Sequence, residues 1–178
     1  KLLEEFSGAL MVDGYEGYNG ACLENRLTRL GCWTHARRKF IDAQRQQPKG
    51  KTGKADMAIS FIGKLYGVET QSKDGDAATR HRIRQQISVS VLKQFHTWLL
   101  KSQQQVPPKT ALGKAVNYTL EYWPELSRYV ETGEWPIDNN PAENAIRPFV
   151  IGRKAWLFGS SQRGATASAN LYSLVESA

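Results

Sequence analysis

The chain has 178 residues, enough for one domain of ordinary size with a real core. Its 24 Lys+Arg outnumber 17 Asp+Glu, and the net charge of +7 favours a polyanionic partner such as nucleic acid, although a merely basic protein shares that composition. No run of about 20 apolar residues is present, so no membrane-spanning helix is expected, and the two cysteines, Cys22 and Cys32, are too few for a disulfide framework, which makes a reducing cytoplasm the default compartment.

The start, Lys1-Leu2-Leu3-Glu4-Glu5, puts acids where a signal peptide needs an apolar core. Residues 8–13 predict a short buried strand with Asp13 at its C-terminal end, and Asp13-Gly14 predicts a turn. A short helix with loops is expected over 15–25. A second strand is expected over 27–33, with Leu27, Leu30, Cys32 and Trp33 as its apolar members. Thr34 is placed to cap a helix carrying His35, Arg37, Arg38, Lys39 and Phe40. The basic, Gly- and Pro-containing stretch 48–54 reads as a loop.

Three helices follow by apolar spacing. The first carries Met57, Ile59, Phe61, Ile62, Leu65 and Tyr66. The second spans about 76–104, with Ile83, Ile87, Val91, Leu92, Phe95, Trp98 and Leu99 on its apolar face, and Pro107-Pro108 ends it. The third spans about 111–123. The last part opens at Asn140-Pro141-Ala142-Glu143, where Asn140 suits an N-cap, Pro141 the first helical position and Glu143 the third. Pro148 disfavours helix at Arg147, so that helix is expected to be short or kinked. An apolar stretch, a turn at Gly159-Ser160-Ser161 and a final helix from near Ala165 complete the chain, the last burying Ala169, Leu171, Tyr172, Leu174 and Val175. The opening without Met and the closing helical pattern without a stop signal suggest a piece of a longer protein.

Two carboxylates stand out, each with a plain structural alternative. Glu143 sits among cations at a helix start, where it can cap the helix or hold a divalent cation beside phosphate-facing Arg147. Asp13 can be a turn residue, or a ligand-binding acid at the carboxyl end of a strand. Two hard carboxylates from distant segments suit Mg²⁺, which needs few protein oxygens. Cys32 and His35, with Cys22, admit a zinc reading that lacks a fourth ligand; a core thiol is the simpler reading of Cys32. The cations run in two groups: Arg37, Arg38, Lys39, Arg45, Lys49, Lys51 and Lys54, then Arg147, Arg153, Lys154 and Arg163. Each group adjoins a candidate carboxylate, which favours a phosphate-facing groove over two solvated faces. Trp33, Trp156 and Phe158 could stack on bases, with core packing the alternative.

These stretches together resemble the insertion sequence 66 family of bacterial transposases, which are of the DDE type. The resemblance is carried by Val12-Asp13-Gly14-Tyr15-Glu16-Gly17-Tyr18-Asn19 and by Leu30-Gly31-Cys32-Trp33-Thr34-His35-Ala36-Arg37-Arg38-Lys39-Phe40. It continues through Ile137-Asp138-Asn139-Asn140-Pro141-Ala142-Glu143-Asn144-Ala145-Ile146-Arg147-Pro148, Ile151-Gly152-Arg153-Lys154-Ala155-Trp156-Leu157-Phe158 and the closing Leu171-Tyr172-Ser173-Leu174-Val175-Glu176. It implies an α/β fold, helix-rich overall: a partial RNase H-like core whose first strands are missing, interrupted by a large all-helical insertion. Core segments would be 1–47 and 135–178, with the insertion at 48–134. Asp13 matches the second acid of the family and Glu143 the third, both holding Mg²⁺ (Mn²⁺ could replace it). The first acid would lie upstream of Lys1, leaving this segment catalytically incomplete by itself.

Cys32 and His35 look like the Cys-x-x-His signature after the second acid. Arg147 and Lys154 match basic positions expected to touch phosphate, and His35, Arg37, Arg38, Lys39 and Arg153 extend the DNA-binding set. The implied partners are transposon ends and target DNA, with a homodimer possible and no membrane, in a bacterial cytoplasm near the nucleoid. A non-catalytic DNA-binding or assembly module is the alternative from a different class, and a plain nuclease of the same fold is a third.

Overall fold

A computed structural model of the chain describes residues 7–12, 19–24, 26–48, 50, 52–156, 162–164, 166–167 and 169–170. Asp13 and its turn, Lys49, Lys51, Phe158, the Gly159 turn and the closing stretch from Leu171 lie outside them. The chain divides into two compact units, Lys1–Asp138 and Asn139–Ala178.

The first unit opens with strand β1 (Ala9–Val12), helix α1 (Asn19–Glu24) and strand β2 (Thr28–Gly31). The strands pair in parallel, Ala9 opposite Thr28 and Val12 opposite Gly31. The second strand is shorter than its apolar run, because Cys32 is extended and caps helix α2 (Trp33–Arg45). Thr34 is therefore not the cap. Its hydroxyl lies 3.0 Å from both Tyr66 Oη and Asp138 Oδ2, which draw it away from the helix end.

Helix α3 (Lys54–Gln71) begins where Asp56 accepts from the Gly53 N–H at 2.7 Å. Helix α4 (Ala77–Ile83) is capped by Asp76, which accepts from the Thr79 N–H at 2.8 Å. It runs through a π-helical turn, Arg84–Ser88, into α5 (Val89–Gln105). Val106 is then extended, as a residue before proline prefers. Thr110 caps α6 (Ala111–Glu121). Two elements follow where the sequence pattern suggested none: α7 (Trp123–Ser127), with Pro124 in its first turn, and a 3₁₀ turn over Arg128–Glu131. The second unit holds α8 (Asn140–Trp156).

Trp33, Ala36 and Phe40 of α2 pack with Ile62 and Leu65 of α3, Phe95 and Leu99 of α5 and Val116 of α6, all 0 % exposed. Phe95 is the hub: its ring stacks on Phe61 at 5.0 Å between centroids and meets Trp33 and Trp123, each at 6.0 Å. The Trp33 indole N–H donates to the Leu126 carbonyl at 2.7 Å, so this ring buries its area without orphaning its donor. A Cβ on Gly31 would stand 2.9 Å from the Leu126 backbone nitrogen; only glycine lets α7 close on β2 here.

The helix through α4 and α5 differs from its pattern in register. Ile87 is 39 % exposed, while Arg84 and Ser88 take the buried stripe with Leu92, Phe95 and Leu99. Met57 of α3, also expected inside, is 48 % exposed. Arg84 can be buried because all three nitrogens of its guanidinium are hydrogen-bonded. Nε and Nη2 donate to the two Glu69 carboxylate oxygens at 2.9 and 2.5 Å. Nη1 donates to the carbonyls of Tyr129, Thr132 and Trp135 at 2.9, 2.7 and 3.0 Å. The π turn supplies the place for this, as inserted residues in helices often do at specialised positions. Gly133 lies so close to α4 that a Cβ there would overlap the Ala77 carbonyl oxygen. Arg80 Nε donates to the Gly133 carbonyl at 2.8 Å, so the 129–135 segment is clamped onto this helix.

Removing one side of a desolvated ion pair strands the other. Arg84→Met is expected to lower unfolding free energy by about 3–5 kcal/mol, measured by urea unfolding, with Arg84→Lys recovering little because an ammonium cannot reproduce the fork. Asp56 offers a pH test. Hydrogen bonds from Gly53, Gln44 and Gln47 hold its carboxyl down to about 2, below the usual 3.8. A depressed folded value means stabilisation that is present above pH 4 and lost as pH falls toward 2. The difference in melting temperature between the wild-type chain and Asp56→Asn should therefore shrink across that window.

Candidate functional site

Parallel pairing puts the carboxyl ends of both strands on one edge of the sheet, the edge where open α/β sheets place ligand-binding groups. Val12, the residue before Asp13, pairs with Gly31 there, and α2 begins two residues later. The Trp33 N–H donates to the Ile137 carbonyl at 3.2 Å, bringing the start of the Ile137-Asp138-Asn139-Asn140 segment to the same edge. Described residues from three separated motifs thus meet at the carboxyl end of β2.

Asp138 is the unexpected member. It is only 7 % exposed, and its Oδ2 accepts from the Tyr66 hydroxyl at 2.6 Å and the Thr34 hydroxyl at 3.0 Å. Burial, reinforced by the hydrogen bond to Asp138, pushes the Tyr66 hydroxyl well above the ordinary tyrosine range, so it stays a donor at any working pH. The sequence carried little sign of this. Asp138 stands in the third motif with no role of its own, and Tyr66 reads as one more apolar helix position. The signal that could have found it is an acid directly after Ile137, a large apolar residue that is itself buried.

His35, Arg37, Arg38 and Lys39 all lie on α2. His35 is half-buried in the first turn, and the three cations are exposed. A helix turns about 100° per residue, so adjacent cations do not form one stripe. Lys39 leans toward α6, its Nζ 4.3 Å from the centre of the Tyr118 ring. Arg45 pairs with Asp42 at 3.1 Å on the exposed side. Cys22 and Cys32 are buried thiols not joined in a disulfide, 5 % and 2 % exposed. Among the described residues, no three His, Cys, Asp or Glu side chains converge. Trp33 packs in the core and is closed to stacking on a ligand.

In the second unit, α8 carries Glu143, Arg147, Arg153 and Lys154. The Asn139 carbonyl accepts from the Glu143 N–H at 2.9 Å, so the helix starts at Asn140, the residue expected to cap it, one residue earlier than Pro141. Glu143 is half-buried and Arg147 is exposed. The helix also continues past Pro148 to Trp156 and is not short. Proline removes one backbone donor, and the bias on the residue before it yields within a helix of 17 residues. Glu143, Arg147 and Lys154 therefore stand at i, i+4 and i+11 of a single helix. The side chains of Arg153, Lys154 and Trp156 lie outside the described set. Helical backbone resumes at 162–164, 166–167 and 169–170, with Ala169 exposed, not buried as its spacing predicted. The structure groups the candidates on α2 and on α8, while Asp13 is beyond its description.

Among the described residues no helix is long and apolar enough to cross a membrane. No solved structure matches the chain. The uncharacterized protein y4jD of Sinorhizobium fredii is 30 % identical over 184 residues, which cover 99 % of this chain and 35 % of that protein. Two further proteins of the same organism are similar. The uncharacterized protein y4qI is 33 % identical over 98 % of this chain and 33 % of its own length. The uncharacterized protein y4hP is 28 % identical over 98 % of this chain and 34 % of its own. The chain spans about a third of the length of these curated relatives. The profile of the family described as "Transposase IS66 family" matches residues 1–167, nearly the whole chain, and the chain belongs to that family.

Proposed function

We propose that this chain is the catalytic region of a DDE-type transposase, with core segments 1–47 and 135–178 of an RNase H-like fold and a helical insertion between them. The observation that carries the reading is the meeting of three motif segments at the carboxyl edge of β1 and β2. Family membership supplies the reaction class. Asp13 and Glu143 offer hard carboxylate oxygens, a donor set that fits Mg²⁺ or Mn²⁺ and leaves coordination positions for water and phosphate. Bound there, the cation would stabilise charge developing on the attacking and leaving oxygens.

The chain's own cations bind and orient the DNA. His35, Arg37, Arg38 and Lys39 on α2, and Arg147, Arg153 and Lys154 on α8, face phosphates in this reading. Water then cleaves a phosphodiester and frees a 3′-hydroxyl, which attacks target DNA. The partners are transposon ends and target, with two copies of the protein expected on paired ends.

In the full-length protein, Asp13→Asn and Glu143→Gln should each abolish cleavage of an end-bearing duplex while DNA binding survives; cleavage by either variant removes that residue from the catalytic set. If neither matters and only the basic residues do, the non-catalytic DNA-binding module is the better reading. The α2 cations should separate in a salt titration of DNA affinity. Arg38→Ala is expected to lower the slope by about one counterion. Lys39→Ala should shift the slope less, and cost about 0.5–1 kcal/mol of stability through its ring contact.

A further inference from the structure

We propose that the outer face shared by α3 and α5 binds an unpaired strand of DNA. The binding needs neither Asp13 nor Glu143; only the source of such a strand, a transposition reaction, rests on the proposed function. The first sign is in the sequence. From Ala77 to Leu120 there is no Asp or Glu, while seven Lys and Arg fall in the same stretch. Helix α5 lies wholly inside it, so its solvent side carries no carboxylate of its own.

Two rings reach the surface there. On α3, Lys54, Met57, Phe61 and Lys64 stand at i, i+3, i+7 and i+10, one stripe of the helix. On α5, Gln94, Trp98, Lys101 and Gln105 form another. The stripes run antiparallel. Lys54 Nζ, at the start of α3, donates to Gln105 Oε1, at the end of α5, at 2.7 Å, and further along the Phe61 and Trp98 rings stand 6.1 Å apart. Both rings are half-buried, resting on Phe95 at 5.0 and 5.9 Å, and Met57 beside them is 48 % exposed. Lys54 Nζ lies 5.8 Å from the centre of the Trp98 ring, Lys64 Nζ lies 5.4 Å from that of Phe61, and Lys101 is exposed. Among the described residues none of these three lysines is paired with a carboxylate. Asp56, the acid on the same helix turn as Met57, is turned to α2, where Gln44 and Gln47 donate to it.

Core packing accounts for the inner sides of the two rings and leaves the cations around their outer sides unexplained. A ligand that is flat and apolar on its faces but anionic along its backbone uses both. Unpaired DNA has that chemistry: bases stack on aromatic rings while phosphates meet lysines. A duplex keeps its bases stacked inside and would engage the lysines only. The lysine stems are long and flexible, so a head group now over a ring can swing to a phosphate as a base takes its place.

The test uses the full-length protein in EDTA, where cleavage is silent. Affinity for a fluorescent oligo-dT and for a duplex of equal length is read by anisotropy. The contact is mapped by photocrosslinking an oligonucleotide that carries 5-iodouracil. Crosslinks are expected at Phe61 or Trp98. Trp98→Leu should weaken oligo-dT binding about tenfold and leave the duplex unchanged. Replacing Lys54, Lys64 and Lys101 together by Gln should lower the salt slope for oligo-dT by about 2, since each phosphate contact on a single strand contributes about 0.7. Met57→Glu changes only an exposed side chain and should weaken oligo-dT binding several-fold, which keeps the test decisive if Trp98→Leu unfolds; melting temperature identifies that case.

If folded Met57→Glu and the triple lysine variant bind oligo-dT as the wild type does, with crosslinks elsewhere, the inference is overturned. If single strand and duplex weaken equally, the face reads duplex phosphates and the unpaired strand is overturned. If Met57→Glu splits a dimer on size exclusion with DNA affinity unchanged, the face is a subunit interface and the inference is likewise overturned. None of these outcomes touches the transposase reading, which stands or falls on cleavage by the Asp13→Asn and Glu143→Gln variants.

Discussion

A guanidinium buried at 2 % exposure governs how the first unit is assembled. A guanidinium removed from water needs acceptors for its nitrogens. Glu69 accepts from Nε and Nη2, and three carbonyls of the 129–135 segment share Nη1. Only one arrangement of α3, the π turn and that segment satisfies the set. Apolar residues in place of both Arg84 and Glu69 could match the pair in net stability, since desolvation consumes much of its Coulombic gain, whereas removing Arg84 by itself strands the carboxylate. What the arginine adds is specificity of place: one guanidinium holds three carbonyls of the 129–135 segment. Gly133 completes the clamp by admitting a backbone approach that any Cβ would block.

From that clamp the chain reaches the sheet edge. Trp135 is the last carbonyl held by Arg84, and Ile137 is the first held by α2. The β1–β2 pair is small, and its value lies in polarity: parallel strands deliver two chain exits to the same edge. The helix that leaves β2 buries its first residue, Trp33, against Phe95 of α5 and Trp123 at the start of α7. The motif-bearing helix and the helical block therefore share one core, and the block's packing bears on the sheet edge directly. In the proposed catalytic region this makes the insertion a participant in site geometry.

The cations of α2 illustrate how a linear run is divided by helical geometry. In sequence, Arg37-Arg38-Lys39 is a single basic cluster. On the helix, Lys39 covers the Tyr118 ring of α6, and the arginines turn elsewhere. The distinction matters for electrostatics: a charge seated over a ring packs α2 against α6, while an exposed guanidinium meets water or phosphate freely.

The sequence alone determined element types, most element positions and the motif residues. Apolar spacing, the helix start near Asp76, the Pro107-Pro108 stop and the two short strands are local properties, legible because neighbouring residues decide them. The family resemblance was legible for the same reason, since motif residues are read in order. Tertiary structure alone decided the rest. Thr34 looked like a cap until Tyr66 and Asp138 competed for its hydroxyl. Ile83 and Ile87 looked like core until Arg84, supplied with acceptors from distant backbone, took the buried stripe. Pro148 predicted a short or kinked helix, yet α8 extends through it to Trp156. Asp138 drew no reading of its own, because nothing near it in the chain shows that a tyrosine 72 positions earlier donates to it. Local rules rank what a residue prefers by itself; a buried polar group is decided by partners, and partners separated by most of the chain are named only by the fold.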